Sequence, residues 1–199
     1  MYDLDSVYTK KFFEQRKYLA WRVPIVCDAI MSVLHPKHIV DVGCGNGDLV
    51  VGFQERVKCP VYGIEGTVNA LDSMEPWLNN YVFIRDIRKP LDDFLLHRMD
   101  LAICFEVAEH VEEEYAEIFV DNLIGLSDRI LMSAAPPGQG GKAHVNCQPW
   151  VYWFHKFTAR GYRHNNEVVQ KIQKYWERHK HTKGIKAYYQ NLMCWEVMG

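Results

Sequence analysis

The chain has 199 residues, about the length of one α/β domain, and 48% of them are apolar, enough for a sizeable core. A formal charge of −2 excludes a global field that would recruit nucleic acid or a membrane, and no apolar run has the length of a membrane-spanning helix. Six scattered cysteines without a Cys-x-x-Cys pair, and a start (Tyr2-Asp3-Leu4-Asp5) unlike a signal peptide, point to reduced thiols and a cytoplasmic protein.

In chain order, residues 1–34 carry Tyr8, Phe12, Phe13, Tyr18, Trp21 and Ile25, which predict one or two amphipathic helices. These helices either pack on a sheet edge or form a lid with an aromatic wall. Short apolar runs then recur at 38–42, 61–65, 81–84, 101–105 and 129–134, each rich in β-branched or large side chains, as in strands covered on both faces. Helical patterns at 49–58, 68–78 and 112–126 lie between them, and a last strand spans 192–197. Alternating strand and helix predicts a doubly wound, mostly parallel α/β sheet with right-handed crossovers.

The first strand runs into a turn with glycine at every second position, Gly43-Cys44-Gly45-Asn46-Gly47. Such a turn bends sharply and lets a ligand approach where a Cβ would collide, and Asn46-Gly47-Asp48 can open a helix whose free N–H groups face the same spot. A dinucleotide site needs a third glycine at relative position 6, where this chain has Asp48, an acid that repels pyrophosphate. Three further features fall at later strand ends. Glu65 can accept hydrogen bonds from two ribose hydroxyls. Asp86 can accept from an adenine amine while the Ile87 amide donates to a ring nitrogen, and Phe105-Glu106-Val107 follows the fourth strand.

The pattern Asp41-x-Gly43-x-Gly45-x-Gly47, with Glu65, Asp86 and Phe105 in order, resembles motifs I to IV of class I S-adenosylmethionine (SAM) methyltransferases. The resemblance covers residues 37–135. It implies a Rossmann-like sheet of seven strands, mostly parallel with an antiparallel last strand, plus N-terminal helices. It implies one domain: a helical cap (1–34), a SAM-binding core (37–135), and a substrate loop with C-terminal strands (136–199). Gly43, Gly45, Gly47, Glu65, Asp86, Ile87 and Phe105 are then expected around SAM, with Asp41 reaching the methionine ammonium.

The stretch Glu106-Val107-Ala108-Glu109-His110 puts two acids and an imidazole at i, i+3 and i+4, on one face if a helix starts there. Such a set can hold a divalent cation, and its oxygen-rich balance suits Mg²⁺ or Mn²⁺. It is similar to the trio of ubiquinone-biosynthesis O-methyltransferases and of small-RNA 3′-terminal 2′-O-methyltransferases. The latter resemblance implies a second histidine from the loop after strand five, here His144. Without a metal, His144 or His110 can serve as general base, and Glu109 completes the candidate catalytic group.

Residues 136–149 are too rich in glycine and proline for helix or strand, and a long loop inside a compact domain is usually functional. This loop, with Tyr152-Trp153, Gly161-Tyr162 and Gln190-Asn191-Leu192-Met193, resembles a bacterial and phage group of class I methyltransferases found beside glycan or secondary-metabolite genes. His144, Asn146 and Gln148 either face a hydroxylated substrate or tie the loop to itself. Residues 171–186 carry six Lys or Arg with Tyr175 and Trp176, which reads as a solvated helix with an apolar seam or as a grip for single-stranded nucleic acid. The expected reaction is O-methylation of a sugar-like small molecule or glycan. RNA ribose 2′-O-methylation and non-catalytic SAM binding are the alternatives.

Overall fold

The computed structural model describes residues 2–91 and 97–198. Seven strands form one sheet: β1 (Ile39–Val42), β2 (Val61–Glu65), β3 (Val82–Ile84), β4 (Leu101–Phe105), β5 (Arg129–Ser133), β6 (Tyr162–His164) and β7 (Leu192–Val197). Their order is β3-β2-β1-β4-β5-β7-β6. The first five are parallel, while β7 runs antiparallel to both β5 and β6. The order reverses between β1 and β4, which is the switch point where ligands bind in doubly wound sheets.

Alternation along the strands feeds two apolar layers. Ile39, Val61, Leu101, Ile103 and Leu131 face α3 (Val23–Leu34), α4 (Asp48–Gln54) and α7 (Asn166–Trp176). Val40, Val42, Ala102, Cys104, Ile130 and Met132 face α5 (Ala116–Leu126) and α6 (Trp150–Thr158). Strands sandwiched this way have no polar face, which is why they read as continuous apolar runs.

Several sequence expectations need correction. The pattern at 68–78 forms two 3₁₀ segments, Val68–Ser73 and Pro76–Asn80, because Pro76 lacks an N–H and keeps Glu75 extended (ψ 132°). The pattern at 49–58 stops at Gln54, whose amide donates to the carbonyls of Val57 and Cys59 and so satisfies the turn before Pro60. The pattern at 112–126 opens as a 3₁₀ turn, Glu113–Tyr115, before α5 begins. β6 escapes sequence reading because Tyr-Arg-His is short and polar; its pairing to β7 defines it.

The N-terminal region divides in two. α3 belongs to the layer covering the sheet and is bonded to α7 by Trp176 Nε1 donating to the Ile25 carbonyl (3.2 Å). Residues 2–22, with α1 (Leu4–Val7), α2 (Lys10–Glu14) and a 3₁₀ turn at Lys17–Arg22, lie across the carboxyl edge of the sheet. α8 (Lys186–Asn191) leads into β7.

Candidate active site

The turn after β1 has the left-handed backbone expected of it, with φ of +72° at Gly43, +58° at Gly45 and +75° at Gly47. Gly43 also sits so close to Val107 that an added Cβ would meet its Cγ2 at 2.3 Å. The turn is strapped to β2: Gly43 N and Cys44 N both donate to the Ile64 carbonyl, and Gly45 N donates to Glu65 Oε2 (2.9 Å). Glu65 also accepts from Gly66 N (2.8 Å) and Thr67 N (3.3 Å). Burial raises its pKa to about 7, with those three N–H groups working against the rise.

Asp41 is 4% exposed, and no hydrogen bond reaches its carboxylate among the described residues. Burial lifts its pKa to about 8, against the pull of Arg22. Asp86 is already engaged. Arg88 donates to it from Nε (2.9 Å), from Nη2 (2.9 Å) and from its own backbone N–H (3.0 Å). Burial would raise Asp86, but these bonds outweigh it and hold it low. The neighbouring Ile87 carbonyl accepts from Asn122. Phe105 ends β4 and packs on Tyr188 of α8, with centroids 4.7 Å apart.

Beyond β4 the structure separates residues that the sequence groups together. No helix starts at Glu106. That residue takes φ +55°, uncommon for a non-glycine residue, and only a 3₁₀ turn, Ala108–His110, follows. Glu106 therefore stands apart from Glu109 and His110, accepting from Gln139 Nε2 (2.9 Å) and Asn191 Nδ2 (3.4 Å), while Asn191 also donates to Gln139 Oε1 (3.0 Å). Gln139, from the loop after β5, and Asn191, at the end of α8, thus join the site, as sequence reading did not foresee.

Glu109, His110 and His144 do converge, with one ligand atom of each lying within 4.8 Å of the others. Glu109 is fully buried, and both carboxylate oxygens lack a hydrogen bond among the described residues. The N–H groups of Glu109 and Ala135 lean toward it without completing a bond. Burial raises its pKa well above the carboxylate range, and the charge of Glu106 adds to the rise. His144 presents Nε2 to Glu109 Oε1 at 3.9 Å, while its Nδ1 meets the Gln139 carbonyl (3.0 Å). That carbonyl can only accept, so Nδ1 carries a proton, and in the neutral ring Nε2 holds the lone pair. His110 is arranged alike, with Nδ1 at the Ala143 carbonyl (3.1 Å) and the Tyr8 hydroxyl (2.8 Å). Burial lowers His110 to about 4, so it is neutral at physiological pH.

The loop wraps onto this cluster because the Glu109 carbonyl accepts from Val145 N (2.9 Å) and Asn146 N (3.0 Å). Gly141 lies against His144, where a Cβ would come within 2.0 Å of Nε2. Asn146 and Gln148 bond to each other (2.8 Å), so these two side chains tie the loop to itself. The basic stretch follows the solvated reading in part: Lys171 pairs with Glu167, and Lys180 with Glu177. No helix among the described residues is long and apolar enough to cross a membrane.

Residues 40–123 match a family model described as a methyltransferase domain. No curated protein matches the chain. Among solved structures, the fold is similar to that of DesVI from Streptomyces venezuelae, at 14% identity over all of both chains and a TM-score of 0.66. It is also similar to magnesium protoporphyrin IX methyltransferase from Synechocystis with bound S-adenosylhomocysteine (SAH), at 18% identity over 78% of this chain and 74% of that one, TM-score 0.54. A third is the plantazolicin methyltransferase BpumL, solved with SAH and a monoazolic desmethylPZN analog, at 11% identity over 98% and 91% of the two chains, TM-score 0.61.

Proposed function

We propose that this chain, whose residues 40–123 match a methyltransferase domain, is a class I SAM-dependent methyltransferase that methylates a hydroxyl of a sugar-like or otherwise polyhydroxylated small molecule or glycan, with His144 as the group that takes the proton. The carrying observation is the pairing of a buried carboxylate that has no hydrogen bond, Glu109, with a histidine whose Nδ1 is tied to a carbonyl and whose Nε2 lone pair is free. An imidazole so oriented is a ready general base.

In this reading Gly43, Gly45, Gly47 and Glu65 hold the glycine-turn side of SAM, with Asp86 and Ile87 at the adenine end. Asp41 and Phe105 border the methionine end, where a carboxylate favours the ammonium. His144 Nε2 accepts the acceptor's hydroxyl proton as that oxygen bonds the methyl carbon and the carbon–sulfur bond breaks. The products are a methyl ether, SAH and a protonated His144. His110, held neutral by burial, shapes the pocket wall and is the second candidate base. The polar set of Glu106, Gln139 and Asn191 offers donors and acceptors suited to an acceptor's flanking hydroxyls.

Glu109, His110 and His144 also fit a divalent cation. Glu109 is buried with two oxygens unbonded, and each histidine directs Nδ1 at a carbonyl, the outer-shell arrangement that aims Nε2 at a metal. With Glu106 elsewhere, the set is two nitrogens and one oxygen. That suits Mn²⁺, Fe²⁺, Co²⁺ or Zn²⁺ better than the Mg²⁺ allowed by the sequence pattern. Such an ion would lower the pKa of an acceptor hydroxyl.

RNA ribose 2′-O-methylation is the second reading, supported by the same cluster and by exposed Tyr175 beside Lys174. The test is transfer of tritium from methyl-labelled SAM into fractions of cell extract, with and without chelator. Label on a small hydroxylated molecule or glycan supports the first reading. Label on RNA sinks it in favour of the second.

A further inference from the structure

Residues 2–22 meet four separate strand ends. Past β3, Arg88 donates to the Tyr2 carbonyl (3.1 Å), and its guanidinium stands 4.9 Å over the Tyr2 ring. Past β2, Leu4 covers Gly66, Asp5 accepts from the Thr67 hydroxyl, and Asn69 donates to the carbonyls of Asp5 (2.9 Å) and Tyr8 (3.0 Å). Past β1, Asn46 donates to the Phe13 carbonyl (3.1 Å). Past β4, Tyr2 donates from its amide to Glu112 and from its hydroxyl to the His110 carbonyl (2.6 Å), and Tyr8 reaches His110 Nδ1. The ends of β1, β2 and β3 carry Gly43–Gly47, Glu65 and Asp86, and the end of β4 carries the histidine cluster.

The segment is held by polar contacts more than by core packing. α1 and α2 have four and five residues, and Phe13 and Leu19 are its buried apolar side chains. Segments with few buried apolar contacts open at low free-energy cost. Glu65 and Cys44, at the strand ends the segment meets, are each 8% exposed, so this closed form leaves little surface there for a ligand.

We propose that residues 2–22 are a lid that lifts to admit SAM and closes over it, and that Tyr8 is a positioning residue which closure seats on His110. The inference rests on reading the glycine turn, Glu65 and Asp86 as the cofactor site. Since the Ala143 carbonyl can only accept, His110 Nδ1 is the protonated nitrogen and the Tyr8 oxygen is its second acceptor. Closure thus holds the imidazole with Nε2 as its lone-pair nitrogen, and cofactor retention and the order of the reaction centre become one event.

SAH is the probe. Hydrogen exchange of amides 4–13 is followed with and without saturating SAH. The SAH dissociation rate is measured for wild type, Asp5→Ala and Tyr8→Phe, and the ¹⁵N imidazole signals of His110 are recorded in each complex. Exchange should slow roughly tenfold with SAH, and Asp5→Ala should speed dissociation roughly three- to tenfold, the scale of one lost hydrogen bond. Tyr8→Phe should shift the His110 Nδ1 signal, which a merely structural tyrosine would leave in place. If SAH does not bind the wild type, the cofactor reading falls and the lid with it. If SAH binds but exchange and dissociation do not respond, the lid alone is overturned. An unmoved His110 signal overturns the role of Tyr8.

Discussion

Glu109 Oε1 and His144 Nε2 lie 3.9 Å apart, although one follows β4 and the other sits in the loop after β5. The contact is made because the loop's Val145 and Asn146 amides bond to the Glu109 carbonyl, so the residue that offers the carboxylate also anchors the histidine. Neither oxygen of that carboxylate has a hydrogen bond among the described residues, and burying it that way costs stability unless a proton, a cation or a substrate meets it.

Replacing His144 with alanine should cut methyl transfer by about 10²- to 10⁴-fold, the usual worth of a positioned acid–base group. SAH affinity should stay within about twofold, because the proposed function puts His144 at the acceptor and not at the cofactor. Turnover with labelled SAM and calorimetric SAH titration separate the two effects. Equal losses in both would place His144 at the cofactor.

Co²⁺ titration followed by visible absorption tests the ion site directly. One equivalent should bind the wild type and the Glu106→Gln variant, whereas Glu109→Gln and His144→Ala should abolish the signal. Loss of binding in Glu106→Gln would restore the grouping expected from sequence, in which all three acid and imidazole side chains share a face.

Gly141→Val tests the seating of His144 without touching its chemistry. A Cβ would meet Nε2 at 2.0 Å, so the ring must move. Turnover should fall toward that of His144→Ala. The melting temperature should change by only a few degrees, because residue 141 is exposed. Near-normal turnover would mean that the loop finds the same histidine position by another route.

Asp41 makes a prediction in pH. Its folded pKa of about 8 lies above the ordinary carboxylate value near 4. The folded chain therefore binds more protons than the unfolded chain between those limits, and stability must fall as pH rises through that window. Glu65, raised to about 7, adds in the same direction. Asp41→Asn should be more stable relative to wild type at pH 8 than at pH 5, which melting curves at the two values measure. A constant difference would show that Asp41 titrates normally. If SAM binds with its ammonium near Asp41, as proposed, it should reduce the wild-type pH dependence.

Much of the glycine turn and the strand ends proposed for the cofactor was legible because it is local in sequence. Gly43, Gly45 and Gly47 announce a turn through their spacing, and Glu65 and Asp86 end runs that are plainly strands. Arg88 was not legible as a partner of Glu112 and Tyr2, since those bonds reach across 24 and 86 residues of chain. Gln139 and Asn191 entered only as parts of a resemblance, and their pairing with Glu106 was not legible, because an amide joins a site only when folding delivers a partner.

The grouping of Glu106 with Glu109 and His110 failed for a definable reason. Spacing of i, i+3 and i+4 predicts a shared face only if the backbone is helical, and the positive φ at Glu106 turns its side chain toward Gln139 and Asn191. His144 was reachable only through resemblance, since nothing local ties it to residue 109.

The sequence by itself determined the layered α/β fold and the glycine turn, because apolar periodicity and backbone permissiveness act over a few residues. The tertiary structure alone decided which side chains converge at the candidate site. Glu109 gains its raised pKa, His144 its oriented lone pair and His110 its Tyr8 partner from elements far apart in the chain. Desolvation and hydrogen-bond direction depend on what folding packs around a group, and no spacing rule encodes them.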